Sequence, residues 1–330
     1  MKRGLMPGWR GWSEIKSHDS GLGLMACALY ALCLISGSIL LASCRNAPPT
    51  PAQRSESPHS TPAAPQATPT ATPQVSVRYR AFPIEGAKSL AQLKAEVGEE
   101  GLALALKINR LDLKHVRQGE ALIIPDATND PLAVSPFPLD LESARTLPKL
   151  LFVSRRVQAF GAYESGRLVY WGPTSTGKKA TPTPTGLYHT NWKAKQTVST
   201  VSDEWVLPWY FNLDNFGGIS FHQYELPGYP ASHSCVRLLE VDGAWIYNWA
   251  DQWILSPDGY KRMAYGTPVV IFGDYAYGKT PPWKQLLEDP RAASVSAQEV
   301  EEALGKHWPV IQARKQERAT VLEARAQDAP

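Results

Sequence analysis

The sequence predicts a mainly β chain, with a small βααβ unit ahead of its principal domain and a helical extension behind it. Three observations carry this. From Lys149 onward, short apolar or alternating runs follow one another, separated by turn residues, which is the period and punctuation of strands. Between Val75 and Pro125, two strand-like runs flank two stretches of helical spacing. After Pro281, apolar residues recur at helical spacing behind a serine. The 330 residues suffice for two modest domains plus linkers, and the net charge of +3 comes without a basic stripe. That composition points to no nucleic-acid partner.

The first 43 residues read as a targeting segment and stay outside the fold. Lys2, Arg3 and Arg10 form a basic start, and residues 21–43 are apolar and uncharged. A run of that length is sufficient to span a bilayer. Leu41-Ala42-Ser43-Cys44 closes it. Small residues before a cysteine resemble a bacterial lipobox, which implies a signal peptide over 1–43, lipidation of Cys44 and a membrane tether. The plainer alternative is an uncleaved membrane helix. Both export the remainder. Arg45 does not resemble an inner-membrane retention signal, so the outer membrane is favoured in a Gram-negative host, with the chain on the periplasmic face. Of the four cysteines, Cys27 and Cys33 leave with the signal and Cys44 carries lipid, so Cys235 is the lone thiol.

Residues 44–74 are rich in Pro, Thr, Ala and Ser. They cannot bury a core and read as a disordered, extended linker with a reach of at most about 90 Å. The next unit, 75–126, begins with the alternating run V-S-V-R-Y-R-A-F. Ser89 and Gln92 form a capping-box pattern before Leu90, Leu93 and Val97, and Gly98 ends that helix. A second helix carries Leu102, Leu106 and Asn109, and a turn at 117–120 leads into the strand Ala121–Pro125. The stretches I-N-R and V-R-Q-G-E-A-L-I-I-P are similar to the second half of a LysM domain. The first half departs, with E-G-A-K-S-L at the usual G-D-T turn. The resemblance implies binding to peptidoglycan glycan. With linkers read on both sides, deleting the unit is expected to weaken sedimentation with insoluble peptidoglycan and leave turnover of small substrates intact.

Residues 127–148, dense in Pro and Asp, read as a connector. The domain from 149 to 275 opens with strands at L-L-F-V-S, R-V-Q-A-F-G-A-Y and R-L-V-Y-W-G-P. The proline-punctuated run Thr181–Tyr188 must be an edge or a loop entering a strand, because proline cannot donate to a central ladder. Leu239 to Leu255 reads as a helix with Trp245, Trp249 and Trp253 on one stripe, a packing pattern. A closing strand follows Gly266.

The chemistry concentrates between Gly217 and Leu238, in G-G-I-S-F-H-Q-Y-E-L-P-G-Y-P-A-S-H-S-C-V-R-L. A thiol, two imidazoles and a guanidinium within one short span are the parts a cysteine nucleophile needs: a base, an orienter and anion-binding donors. Spacing does not choose between His222 and His233 as the base. Arg237 either holds a substrate anion or closes a structural salt bridge. His59, His115, His189 and His307 read as ordinary surface or packing residues. No Cys/His spacing suits a metal, and no cofactor is implied.

In order along the chain stand S-T-G, T-P-T-G-L-Y, L-P-W-Y-F, G-G-I-S-F-H, S-H-S-C-V-R-L and G-T-P-V-V-I. Together they resemble the L,D-transpeptidase catalytic domain. The resemblance implies a β-sandwich-like fold and a cysteine acyltransferase acting on peptidoglycan stem peptides. It makes Cys235 the nucleophile, His222 the proton donor and acceptor, the Gln223 carbonyl the orienter of His222, and His233 a supporting group. Arg237, Ser232, Ser234, Trp209 and Tyr210 are the expected substrate-binding residues. Ser234 stands where the family has glycine, and a positive φ there would strain it. A His222 imidazolium would lower the thiol pKa and leave Cys235 readily alkylated near neutral pH. Alternatives are an L,D-carboxypeptidase or amidase, an enzyme attaching lipoproteins to the wall, and a non-catalytic wall-binding lipoprotein.

The extension, 276–330, carries Ser296 and Glu299 as a second capping-box pattern ahead of Val300, Leu304 and Trp308, and ends in a charged helix. Whether it packs on the domain or meets a partner is not readable from the pattern.

Overall fold

A computed structural model describes residues 77–126, 130–199 and 202–328. All lie within one compact unit, Pro69–Pro330. The signal segment, Cys44 and the linker 44–74 lie outside the described residues. Among the described residues no helix is long and apolar enough to cross a membrane.

Strand β1 (Tyr79–Pro83) pairs antiparallel with β2 (Ala121–Pro125) around helix α1 (Ser89–Asn109), which breaks at Gly98. Gly98 has φ 77°, a conformation that costs glycine little, so the two expected helices join across it. Leu93, Leu102, Leu106, Leu122 and Ile124 form this unit's own core. The capping box expected at Ser89 does not form. Lys88 is the N-cap, and the Ser89 hydroxyl accepts instead from the Glu85 and Gly86 N–H groups at 3.0 and 3.2 Å, closing the preceding turn.

The principal domain stacks two sheets. One has five strands in the order β5-β4-β3-β13-β6: β3 is Leu150–Ser154, β4 Ala159–Glu164, β5 Arg167–Pro173, β6 Gly186–His189 and β13 Pro268–Phe272. The other runs β10-β9-β8-β7: β7 is Lys193–Val198, β8 Val206–Asp214, β9 Ile219–Gln223 and β10 Val236–Leu238. Strand alternation explains the layering. Leu151 and Val153 face Phe211, Phe221, Val236 and Ile271 between the sheets. Leu150 and Phe152 face the opposite way, onto Phe137, Leu141, Leu147, Val300, Leu304 and Ile311. β3 is therefore buried on both faces, which is why L-L-F-V-S is a continuous run and not an alternating one. The proline-punctuated run feeds β6 at a sheet edge, as expected.

Two boundaries differ from the sequence reading. Residues 130–148 are no spacer: Phe137, Leu141, Ala144 and Leu147 are at most 2% exposed and form one wall of the core. Their spacing is irregular because short 3-10 turns carry them, so no period marked them as core. Helix α2 (Glu240–Trp249) stops before Trp253. The Asp251 carbonyl accepts from the Thr190 hydroxyl and the Thr267 N–H, and the Trp253 N–H donates to Asn191, so tertiary bonds outcompete another helical turn. Trp245 and Trp249 still stack, and Tyr170 stacks on Trp245. A two-stranded ribbon, β11 (Ile254–Leu255) and β12 (Arg262–Ala264), follows.

The extension packs on the domain. Ser296 and Glu299 complete their reciprocal capping box ahead of α3 (Ala297–Gly305), and Glu299 also pairs with Arg156 at 3.0 Å. From α4 (Trp308–Gln327), Arg314 donates to the His189 ring, Arg318 to the Gln252 and Tyr265 carbonyls, and Arg325 to the Leu255 carbonyl.

The βααβ unit is joined just as tightly. Leu104 and Ile108 of α1 share a core with Ile123, Trp171 and Trp283. Lys107 reaches Asp242 of α2 at 3.0 Å, and Tyr170 donates to the same carboxylate at 2.7 Å; Asp242 is fully buried. Arg110, 2% exposed, donates to the Val157 carbonyl between the Trp171 and Trp283 rings.

Candidate active site

The site occupies the outer face of the four-stranded sheet, on its β10-β9-β8 side. In β9, Ile219 and Phe221 point into the core, so Ser220 and His222 share the other face. β10 runs parallel to β9 with Val236 opposite Phe221 and Arg237 opposite His222. That register sets Cys235, one residue before β10, beside Ser220. The Ser220 hydroxyl lies 3.3 Å from Sγ, and the thiol donates to the Gly218 carbonyl at 3.2 Å. Tyr210 of β8 borders the thiol, and its hydroxyl accepts from Asn212 at 3.0 Å.

His222 is 4% exposed, and its Nδ1 lies 2.9 Å from the Gln223 carbonyl. A carbonyl only accepts, so Nδ1 carries the proton and Nε2 is left as a base. The Gln223 carbonyl is thus the partner that fixes this tautomer. Burial pushes the imidazole down to about 4; the Gln223 bond opposes this and the Arg237 charge adds to it. Burial also pushes the Cys235 thiol up, against bonds from Ser220 and the charge of Arg237, which favour the anion. Both shifts favour the neutral thiol and the neutral imidazole. No hydrogen bond joins them in this state: the thiol is turned to Gly218. Burial works against the expected imidazolium and against the lowered thiol pKa that would follow from it.

Arg237 lies over the Tyr224 ring at 4.5 Å and forms no ion pair with any described carboxylate. Its charge acts through space on Tyr224, Glu225 and Cys235. His233 is exposed and points elsewhere: its Nε2 accepts from Lys178 at 3.0 Å, and its ring lies 5.4 Å from Trp205. It touches neither Cys235 nor His222. Ser232 is 2% exposed and donates to the Cys235 carbonyl at 2.5 Å, so it braces the loop and does not line a substrate path. Trp209 packs on Tyr247 of α2, as Phe211 does, away from the thiol.

The loop before Cys235 is locked from two sides. Ser232 exchanges backbone bonds with Thr176 and Lys178, and the Thr183 hydroxyl donates to the Ser234 carbonyl at 2.8 Å. Gly177 makes this possible, since a Cβ there would sit 2.1 Å from the Thr181 carbonyl oxygen. From the βααβ unit, Asp112 accepts from the Leu226 N–H at 2.8 Å, and Leu111 bridges to Pro227. Sequence reading missed Ser220, Gly218 and Asp112 as contributors. Ser220 had a signal, its i, i+2 relation to His222; Asp112 had none, because only the tertiary fold brings it to this loop.

Ser234 has φ 93°, in the left-handed region where a residue with a Cβ is strained. Such strain costs about 1–3 kcal/mol, against roughly 0.4–1 kcal/mol of unfolded-state entropy that glycine adds. Ser234→Gly is therefore expected to stabilise the protein by about 1 kcal/mol in urea unfolding. A less stable glycine variant would show that the serine side chain recovers its own strain.

Among the described residues no cluster of three or more His, Cys, Asp or Glu side chains is placed to hold a metal ion. Residues 148–271 match the YkuD family, the L,D-transpeptidase catalytic domain. Among solved structures it is similar to an L,D-transpeptidase from Stackebrandtia nassauensis (18% identity, 57% of this chain and 77% of that one, TM-score 0.34). It is also similar to L,D-transpeptidases from Mycobacterium smegmatis (19% identity, 38% and 59% covered, TM-score 0.31) and Mycobacterium tuberculosis H37Rv (21%, 38% and 58%, TM-score 0.31). The chain spans just under three fifths of the two mycobacterial proteins. No curated protein matches it.

Proposed function

We propose that this protein is a peptidoglycan L,D-transpeptidase. The observation that carries the reading is the one described thiol, on the strand edge next to the strand that holds a buried imidazole whose Nδ1 carries the proton, within residues that match the L,D-transpeptidase catalytic domain. Substrate entry turns Cys235 from the Gly218 carbonyl, and the thiol proton passes to His222 Nε2. Sγ attacks the third-residue carbonyl of a stem tetrapeptide. As the C–N bond breaks, the imidazolium returns its proton to the departing D-alanine amine, leaving a thioester. An amine of a second stem then displaces Sγ, His222 again carrying the proton. Arg237 holds a stem carboxylate, and Tyr210 borders the acyl group. The βααβ unit serves as a LysM-like glycan contact, and lipidated Cys44 tethers the chain on the periplasmic face of a membrane.

Mass spectrometry of purified disaccharide-tetrapeptide incubated with the protein tests this. The expected product is a dimer that has lost one D-alanine, absent with Cys235→Ala. A tripeptide monomer would make the acceptor water, and an unchanged substrate would leave a binding protein.

A further inference from the structure

α4 closes a cavity of about 250 Å³ against the principal domain, remote from Cys235. Its walls include Leu147, Pro268, Ile311, Ala319 and Leu322. Its charges are unbalanced. Asp251, the one acid in the lining, is already paired with Lys149 at 3.1 Å. Arg314 donates to the His189 ring, which burial and the neighbouring arginines hold neutral, and it lies over Tyr265 at 3.8 Å. Glu317 influences Arg314 only through space, with no ion pair. Arg318 donates to two backbone carbonyls. Lys315 has no side-chain partner among the described residues. Three cations thus border an apolar pocket with neutral partners or none, an arrangement that favours bringing in an anion.

We infer that this cavity binds a single-chain amphiphile with an anionic head, of the fatty-acid carboxylate class, its chain on the apolar walls and its carboxylate among Arg314, Lys315 and Arg318. The volume lies below the roughly 300–1,000 Å³ of pockets for drug-sized ligands, which suits one alkyl chain and excludes a bulky ring system. The site gives the C-terminal extension a task separate from the thiol chemistry.

Calorimetric titration of the full-length protein with octanoate, octanol and inorganic phosphate, each below any micellar concentration, tests it. Octanoate is expected to bind at least about tenfold more tightly than either octanol or phosphate, since each of those supplies half of the recognition. Ala319→Trp, which fills the cavity, is expected to abolish binding. Lys315→Glu, at a side chain that holds nothing in place, is expected to weaken it about tenfold and to flatten its salt dependence. Circular dichroism and the thermal midpoint check that α4 stays folded; if the tryptophan variant loses it, Lys315→Glu decides alone. Equal binding of octanol or of phosphate, unaltered binding in Lys315→Glu, or no heat with octanoate would overturn the proposal.

Discussion

Replacing Lys107 with methionine is expected to destabilise the whole compact unit by about 3–5 kcal/mol, the usual cost of leaving one partner of a buried pair alone. Asp242 is fully exposed to this loss: it has no solvent access, and its Oδ2 already lacks a partner. Burial raises the Asp242 pKa and Lys107 opposes that, so without the lysine the carboxyl moves further up and its cost eases as pH falls. Lys107→Met with Asp242→Asn is expected to recover most of the stability, because the uncompensated charge is then gone. A chemical denaturation series at neutral pH measures both. A single-mutant cost below about 1 kcal/mol would show that water reaches Asp242. By the same physics, deleting residues 77–126 is expected to unfold or aggregate the remainder, since it strips cover from Trp171 and Trp283 as well. The sequence led to the opposite expectation, an independently removable module.

Replacing His222 with alanine is expected to lower turnover by about 10²–10⁴-fold, the range for a general base, while leaving the alkylation profile of Cys235 almost unmoved. The imidazole, held near 4, carries no charge at pH 7 with which to stabilise a thiolate. The thiol is raised by burial, so iodoacetamide labelling, mapped by mass to the Cys235 peptide, is expected to rise with pH through a midpoint above the roughly 8.5 of a free cysteine. His233→Ala is expected to change neither measurement strongly, since His233 contacts Lys178 and Trp205 and not the thiol. A labelling midpoint below 7 that shifts upward in His222→Ala would mean the resting pair is ionic, contrary to the burial seen here.

The local features were legible because they repeat at short range. Alternation in I-S-F-H, the order of the six motifs and the serine cap at Ser296 all survive in the fold. His222, Gln223 and Cys235 follow from one strand and the residue before its parallel neighbour. What was not legible depends on distant partners. The residues 130–148 are core because α3, α4 and β3 cover them, not because of any period of their own. Ser89 abandons its cap because the E-G turn upstream claims the hydroxyl. Trp209 and Tyr210 were both expected to bind substrate, yet the Trp209 ring joins Phe211 on Tyr247, while Tyr210 borders Cys235. A pKa set by burial is likewise invisible to spacing, so the charge state of the Cys235–His222 pair was not legible in the motif.

The thiol's bond to the Gly218 carbonyl bears on chemical survival as well as on catalysis. Oxidation of cysteine proceeds from the thiolate through sulfenic acid to sulfinic and sulfonic acids, the last steps irreversible. Cys235 is the sole described cysteine, so among the described residues no second thiol is placed to rescue a sulfenate as a disulfide. A half-buried sulfur held protonated on a carbonyl is expected to take the first oxidative step slowly when no substrate is present. Slow alkylation at rest and slow loss of the thiol to peroxide are thus two expected outcomes of one geometry.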